Sequence, residues 1–414
     1  MNKKSLRDVE LTGKRILMRV DFNVPIQEGA ISDDTRIQAA LPSIRYILEQ
    51  GASLTLMSHL GRPKGKGYEA AFSLQPVAAH LAKVLGRPVA FAPDCLAADE
   101  QVAALKPGDV LLLENTRFYK EEEAKVKKTD EMTDEEYKAK KAELKEKQKR
   151  MAQKLASYGD VFVNDAFGSA HRAHASTAVV CQYIGVSVAG FLLEKEIKYL
   201  GNAVNNPERP FVAILGGAKV SDKLAVVNNL LDKVDTLIIG GGMAYTFLKA
   251  QGHDVGKSLC EMDQLDYARE MLAKAKANGK TLLLPVDNVA ADKFDAAAAT
   301  QVVGNDIPEG WMALDIGPQT VAAYTAAIHE AKTVVWNGPM GCFEMKPFAA
   351  GTLGICQAVA DSGAISIIGG GDSVSAVNQS GLAAKMTHIS TGGGASLEFL
   401  EGKVLPGVAA LTDK

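Results

Sequence analysis

Apolar residues fall along this chain in short unbroken runs, each followed by a stretch in which they recur at helical spacing. The runs are RILMRV (15–20), LTLMS (54–58), VLLL (110–113) and VFV (161–163), then FVAIL (211–215), TLIIG (236–240), TLLL (281–284), TVVW (333–336) and ISIIG (365–369). A strand apolar at every position is buried on both faces, and strands alternating with helices imply right-handed crossovers around a parallel sheet. The predicted class is α/β. At 414 residues the chain exceeds what one core supports, so two domains are expected, each a parallel-sheet βαβ (Rossmann-like) sandwich. The helical stretch GFLLEKEIKYLGNAV (190–204), running into NNPERP (205–210), marks the junction, because proline disfavours helix in the residue before it. The division is then a first domain over 1–188, an interdomain helical hinge over 189–206 and a second domain over 207–392. Residues 393–414 begin among three glycines and are too few to fold alone, so they are expected to return to the first domain.

One segment breaks the pattern. Residues 120–150 hold eleven basic and ten acidic residues and almost no apolar stripe, which reads as a solvated helix laced by charge pairs, a surface excursion. The rest is ordinary: 47% hydrophobic, 23% charged, with a net charge of −3 that does not suggest nucleic acid as a partner. Eleven of the twelve arginines lie at or before Arg209. Arginine presents a planar fork suited to carboxylate and phosphate, which directs an anionic substrate to the first half. Five widely spaced cysteines without C-x-x-C fit neither a disulfide framework nor a zinc site and suit a reducing cytoplasm. No apolar run has the form of a signal peptide or a membrane span, so a soluble cytoplasmic protein is expected.

Chemistry gathers where the runs end. In the first half these ends are Asp21-Phe22-Asn23, Ser58-His59-Leu60-Gly61-Arg62, Glu114-Asn115-Thr116-Arg117 and Asn164-Asp165-Ala166. Ligands of open parallel sheets bind at the carboxyl ends of the strands, so four polar clusters there point to one site. In the second half FVAIL runs into GGAKVSDK (216–223) and ISIIG into GGDSVSA (370–376), each read as a glycine turn opening a helix. Such turns let backbone amides approach a phosphate at the positive end of a helix dipole. Lys219 and Lys223, four residues apart, are placed to reach one anion, and Asp372 to hold Mg²⁺. Phosphoryl transfer is the chemistry this suggests. A Walker-like stretch at Gly252–Ser258 is one residue short and follows a helix, and no G-x-G-x-x-G is completed, so neither a Walker loop nor a nicotinamide site is supported. His171-Arg-Ala-His174 reads as a positive pocket wall rather than a metal site.

VDFNVP (20–25), SHLGRP (58–63), ENTRF (114–118), NDAFGSAHRAHAS (164–176), GGAKVSDK, LPVD (284–287), WNGPMGCFE (336–344), GGGDS (369–373) and STGGGAS (390–396) occur in the order, and over the length, of phosphoglycerate kinases, which the chain resembles end to end. The resemblance implies reversible transfer of the acyl phosphate of 1,3-bisphosphoglycerate to ADP, giving ATP and 3-phosphoglycerate in glycolysis, with Mg²⁺, in a monomer that closes about a hinge. It implies a phosphoglycerate site at Asp21, Asn23, Arg36, His59, Arg62, Arg117, His171 and Arg172. It implies a nucleotide site at Gly216, Gly217, Lys219, Lys223, Gly241, Gly242, Gly317, Asn337, Pro339, Glu344, Gly370, Gly371, Asp372 and Ser373, with Glu344 on the ribose and Asp372 on the metal. The catalytic set is Arg36, Lys219, Lys223 and Gly371. The 120–150 excursion is longer than the family's bacterial members lead one to expect. Two rivals differ in their needs: a kinase of simple carboxylic acids has no use for several arginines, and an anion-binding protein has none for Lys219, Lys223 and Asp372. Near the hinge, His388 is expected either to pair with Glu196 or to face solvent.

Overall fold

The computed structural model describes residues 2–414 and divides into two compact units, one comprising residues up to Ile197 together with Val404–Lys414, the other Lys198–Lys403. The first unit carries β1 (Arg15–Arg19), a short ribbon of β2 (Ile26–Gln27) and β3 (Ala30–Ile31), α1 (Thr35–Glu49), β4 (Ser53–Met57), α2 (Gln75–Leu85), β5 (Ala90–Ala92), α3 (Asp99–Ala104), β6 (Val110–Leu113), α4 (Asp134–Ala156), β7 (Val161–Asn164), β8 (Ser187–Ala189) and the start of α5 (Phe191–Asn205). Its six-stranded sheet has the order β5-β6-β4-β1-β7-β8, parallel throughout. Met18 sits opposite Leu56 and Val163, so neighbouring strands share one register. Alternate residues enter different cores: Ile16 and Met18 join Ile37, Ile44, Val77 and Leu81 of α1 and α2, whereas Leu17 joins Leu111, Phe162 and Leu155 on the other face. Burial on both faces is why the strands read as unbroken apolar runs.

The charged excursion has two parts. Helix α4 starts with a reciprocal capping box, in which Thr133 Oγ1 accepts from the Glu136 amide at 3.2 Å and Glu136 accepts from the Thr133 amide at 3.0 Å. Asp134, Glu135 and Glu136 suit the positive end of its dipole. Its first turns are largely exposed, but Leu144, Gln148, Met151, Ala152 and Leu155 are buried. Glu122, ahead of the helix, is fully buried as well. The segment is therefore a surface excursion only over its middle: its ends belong to the domain.

The second unit contains β9 (Phe211–Leu215), α6 (Leu224–Leu231), β10 (Thr236–Ile239), α7 (Met243–Ala250), α8 (Leu265–Ala277), β11 (Thr281–Leu283), β12 (Asn288–Ala291), β13 (Thr300–Val303), β14 (Met312–Ile316), α9 (Pro318–Glu330), β15 (Thr333–Asn337), α10 (Ala350–Asp361), β16 (Ile365–Gly369), α11 (Gly371–Gln379), β17 (His388–Ile389) and α12 (Gly394–Leu400). Its main sheet runs β11-β10-β9-β15-β16-β17, again all parallel, and a small antiparallel sheet has the order β13-β12-β14. The boundary at 403/404 leaves α12 in the second unit, where Asn229 Nδ2 donates to Leu400 O at 2.7 Å. The returning segment is thus 404–414, shorter than the 393–414 read from the glycines. It carries α13 (Pro406–Ala409) and is tied into the first unit by Asn164 Nδ2 on Gly407 O at 3.0 Å and the Lys4 amide on Thr412 O at 2.9 Å.

Candidate active site

In each main sheet the chain leaves the first strand in one direction and later returns to its other side: β1 is flanked by β4 and β7, β9 by β10 and β15. Such reversals open a crevice at the carboxyl ends of the strands. In the first unit the crevice is walled by side chains. Asp21 Oδ1, past β1, accepts from Arg36 Nη1 at 2.8 Å and from the Asn23 amide at 3.2 Å. Asn23 Oδ1 accepts from the Gly61 amide at 2.8 Å, and Gly61 O in turn accepts from Arg117 Nη1 at 2.9 Å. Gly61 has φ of +61° and a Cβ there would lie 2.4 Å from the Phe72 ring, so a side chain is refused twice. These bonds join Asp21, Asn23, Arg36 and Arg117 into one wall, with Arg62 exposed next to Gly61. His59 is buried beside it. His171 and Arg172 follow the short helix Phe167–Ser169; Arg172 is exposed and lies close enough to depress the pKa of the buried His174.

Beneath the wall lies a buried charge network that the motifs did not announce. Arg19 is fully buried at the end of β1; its Nε donates to Ser176 Oγ at 2.7 Å, Nη1 donates to Val20 O, and Nη2 lies 3.0 Å from His59 Nδ1. Glu122 supplies the countercharge, accepting from the Ser176 hydroxyl, from the Ser176 amide at 3.0 Å and from Thr116 Oγ1 at 3.2 Å. Burial and the neighbouring Arg19, Arg117 and Arg36 hold His59 well below the usual imidazole range, and burial pushes His174 down to about 3. Both rings are neutral at pH 7. A signal for Arg19 existed, since an arginine at the inner end of an apolar strand must be paired; Glu122 was indistinguishable inside its charge run.

In the second unit the crevice is walled by backbone. The Gly216 amide donates to Asn337 O at 3.0 Å, the Gly217 amide to Pro339 O at 3.1 Å, and the Gly241 amide to Met340 O at 3.0 Å. A Cβ on Gly216 would lie 2.0 Å from Pro339 O, on Gly241 2.6 Å from Gly217 O, and on Gly242 2.7 Å from Ala218 O. Gly216, Gly217, Gly241, Gly242, Asn337 and Pro339 thus form one close-packed set of turns. Lys223, nearly buried, donates to Gly216 O at 2.6 Å, Asn337 O at 2.8 Å and Asn337 Oδ1 at 2.7 Å, and desolvation lowers it to about 8. Asn337 Nδ2 is buried with no hydrogen-bond partner in the protein. Ser373 Oγ accepts from the Gly338 amide at 2.6 Å, fixing α11 to this turn, while Asp372 in its first turn is exposed beyond Gly370 and Gly371. Gly317 caps α9 beside Asp287, whose backbone O accepts its amide at 2.9 Å, and Glu344 is exposed.

One expectation changes, and one alternative is closed. No helix opens directly at Gly216-Gly217; α6 starts at Leu224, and the intervening turn leaves Lys219 exposed while Lys223 is buried, so the two lysines are not neighbours on a helix face. His388 does not face solvent: it is buried and stacks on Tyr199 with centroids 5.0 Å apart.

The family model for phosphoglycerate kinase matches residues 6–403. A phosphoglycerate kinase of Clostridium botulinum (strain Alaska E43 / Type E3) is 55% identical over 416 residues, covering 100% of this chain and 99% of the relative. One from strain Hall of that organism is 56% identical over 418 residues, with the same coverage. Among solved structures, phosphoglycerate kinase from Coxiella burnetii superposes with a TM-score of 0.88 at 43% identity, covering 99% of this chain and 98% of that one. The enzyme from Pyrococcus horikoshii OT3 gives 0.80 at 34% identity with the same coverage. Whole-length matches in sequence and in both parallel-sheet domains agree with the two crevices described above: the chain belongs to the phosphoglycerate kinase family, phosphotransferases of glycolysis.

Proposed function

We propose that the two crevices divide the phosphotransferase reaction between them, the first unit holding 1,3-bisphosphoglycerate or 3-phosphoglycerate and the second ADP or ATP. The observation that carries this is the contrast in their walls, arginines on one and glycine amides on the other. Arg62, Arg117, Arg172, His171 and His59, with Asp21 and Asn23, bind the glycerate and its remote phosphate. The glycine turns at 216–217, 241–242 and 370–371 bind the nucleotide phosphates, joined by the partnerless Asn337 Nδ2, with Gly317, Pro339 and Glu344 against the nucleoside.

The acceptor in the ATP-consuming direction is a carboxylate, ionised at neutral pH, so no general base is needed. Catalysis is then positioning and neutralisation. Arg36 and Lys219 meet the transferring phosphoryl with the amides around Gly371, and Lys223 keeps the nucleotide turn in register while adding its charge. Mg²⁺ fits as an ion carried by the nucleotide: no cluster of three His, Cys, Asp or Glu able to hold a metal occurs among the described residues, and Asp372 offers one exposed carboxylate. When bound, the ion neutralises charge on the phosphates. Transfer is direct and in line, and closure of the domains excludes the water that would hydrolyse the acyl phosphate. Five free thiols suit a reducing cytoplasm, and the chain is read as a monomer.

A coupled assay tests the reading. Purified protein with Mg²⁺, ADP and 1,3-bisphosphoglycerate should form ATP, and no detectable transfer by folded protein would refute it.

A further inference from the structure

We propose that Glu122, acting through Ser176 and Arg19, locks His59 as a neutral imidazole with its proton on Nε2, making Glu122 a positioning residue and the ring a fixed hydrogen-bond donor to the glycerate substrate. The part of this that concerns substrate rests on the assignment of His59 to the phosphoglycerate crevice; the lock itself rests on geometry. Arginine has donors and no acceptor. With Arg19 Nη2 3.0 Å from His59 Nδ1, the nitrogen facing it must offer a lone pair, so the ring's single proton is on Nε2. The chain of donors leads back in one direction. Ser176 has one hydroxyl proton and gives it to Glu122, so its lone pair receives Arg19 Nε at 2.7 Å. The third guanidinium nitrogen, Nη1, donates to Val20 O, which stops the group from rotating away.

Glu122 is in turn fixed from all sides. Thr116 Oγ1 and the Ser176 amide donate to its carboxylate, and Gln148 Nε2 of α4 donates to its backbone O at 3.0 Å. A fully buried arginine without a countercharge is costly, and Glu122, fully buried itself, supplies that charge. The groups bearing on His59 are Arg19 from β1, Arg36 from α1, Arg117 from the turn after β6 and His174 from the loop after β7. All four disfavour a second proton on the ring. His59 therefore brings direction to the crevice rather than charge.

The test is nitrogen-15 histidine NMR on the full-length protein, with His59→Gln used to assign the ring. Wild-type His59 should show an unprotonated Nδ1 and a protonated Nε2, unchanged between about pH 5 and 8. In Ser176→Ala and Glu122→Gln the ring should exchange tautomers or begin to titrate, and KM for 3-phosphoglycerate should rise about tenfold with KM for ATP unchanged. If Glu122→Gln does not fold, Ser176→Ala carries the test. A wild-type ring protonated on Nδ1, or one that titrates in this window, overturns the proposal; so does an unaltered ring in Ser176→Ala. A locked ring combined with an unchanged KM for 3-phosphoglycerate in His59→Gln supports the lock and overturns the substrate contact.

Discussion

The two units build the crevices proposed to hold anions, each at the end of a parallel sheet, from different materials. In the first unit the crevice is built from side chains whose charges are held mostly by further side chains: Arg36 on Asp21, Arg19 between His59, Ser176 and Glu122, with Arg117 on a backbone oxygen, that of Gly61. In the second it is built from backbone packed so closely that three glycines refuse a methyl group, and its one buried cation, Lys223, is spent on carbonyl and amide oxygens of the turns. The difference separates what substitutions do. Removing an exposed charge such as Arg62 in the first unit weakens attraction and leaves the backbone in place, whereas adding an atom in the second forces the backbone itself to move.

The largest effect is expected where charge meets the transferring group. Lys219→Ala should lower kcat by about 100- to 1,000-fold, with a melting temperature close to wild type because the side chain is exposed. Near-normal steady-state turnover would remove Lys219 from the chemistry. Next comes Gly216→Ala, whose Cβ would lie 2.0 Å from Pro339 O. It should cost about 1–3 kcal/mol of stability in urea unfolding and weaken ADP binding.

A subtler comparison sets one buried carboxyl against another. Burial raises both Asp165 in the first unit and Asp315 in the second to about 7. Below about pH 4 each is protonated whether the chain is folded or not; between there and pH 7 only the folded chain keeps the proton, so stability falls as pH rises through that window and levels off above it. Asp165→Asn keeps an oxygen for the Leu193 amide, which Asp165 Oδ1 accepts at 3.1 Å, while removing the titration. It should reduce the loss of stability between pH 5 and 8, on the order of 1–3 kcal/mol, and leave the Asp315 share. An unchanged pH slope in denaturant titrations would show that Asp165 is not neutral in the fold.

The smallest effect belongs to the charged excursion. Replacing about residues 126–142 with a short linker, which spares Glu122, Leu144 and Gln148, should change activity and melting temperature little. A large loss of either would mean that its exposed part docks.

Much of this was legible beforehand, and the exceptions have causes. The nine apolar runs correspond to nine of the twelve strands in the two main sheets; β5, β8 and β17, three residues or fewer at or beside sheet edges, lack a run long enough to stand out. The antiparallel sheet over 288–316 was invisible because β13 is mostly exposed and carries little apolar signal. Strand ends such as Asp21, Asn23, Arg117 and the glycine turns could be read because their polar or glycine residues interrupt apolar runs. Glu122 and Gln148 could not, since burial inside a charge run is decided by tertiary contacts with Ser176 and Ala173. The unequal fates of Lys219 and Lys223 depend on a turn whose shape local spacing did not encode.

The claim that side chains build one half-site and backbone the other is tested most directly by calorimetric titration of 3-phosphoglycerate and ADP, separately, into wild type, Arg62→Ala and Gly216→Ala. Arg62→Ala should weaken 3-phosphoglycerate about tenfold or more with ADP unchanged, and Gly216→Ala should do the reverse. Loss of both ligands in either folded variant, or loss of neither, would contradict the division.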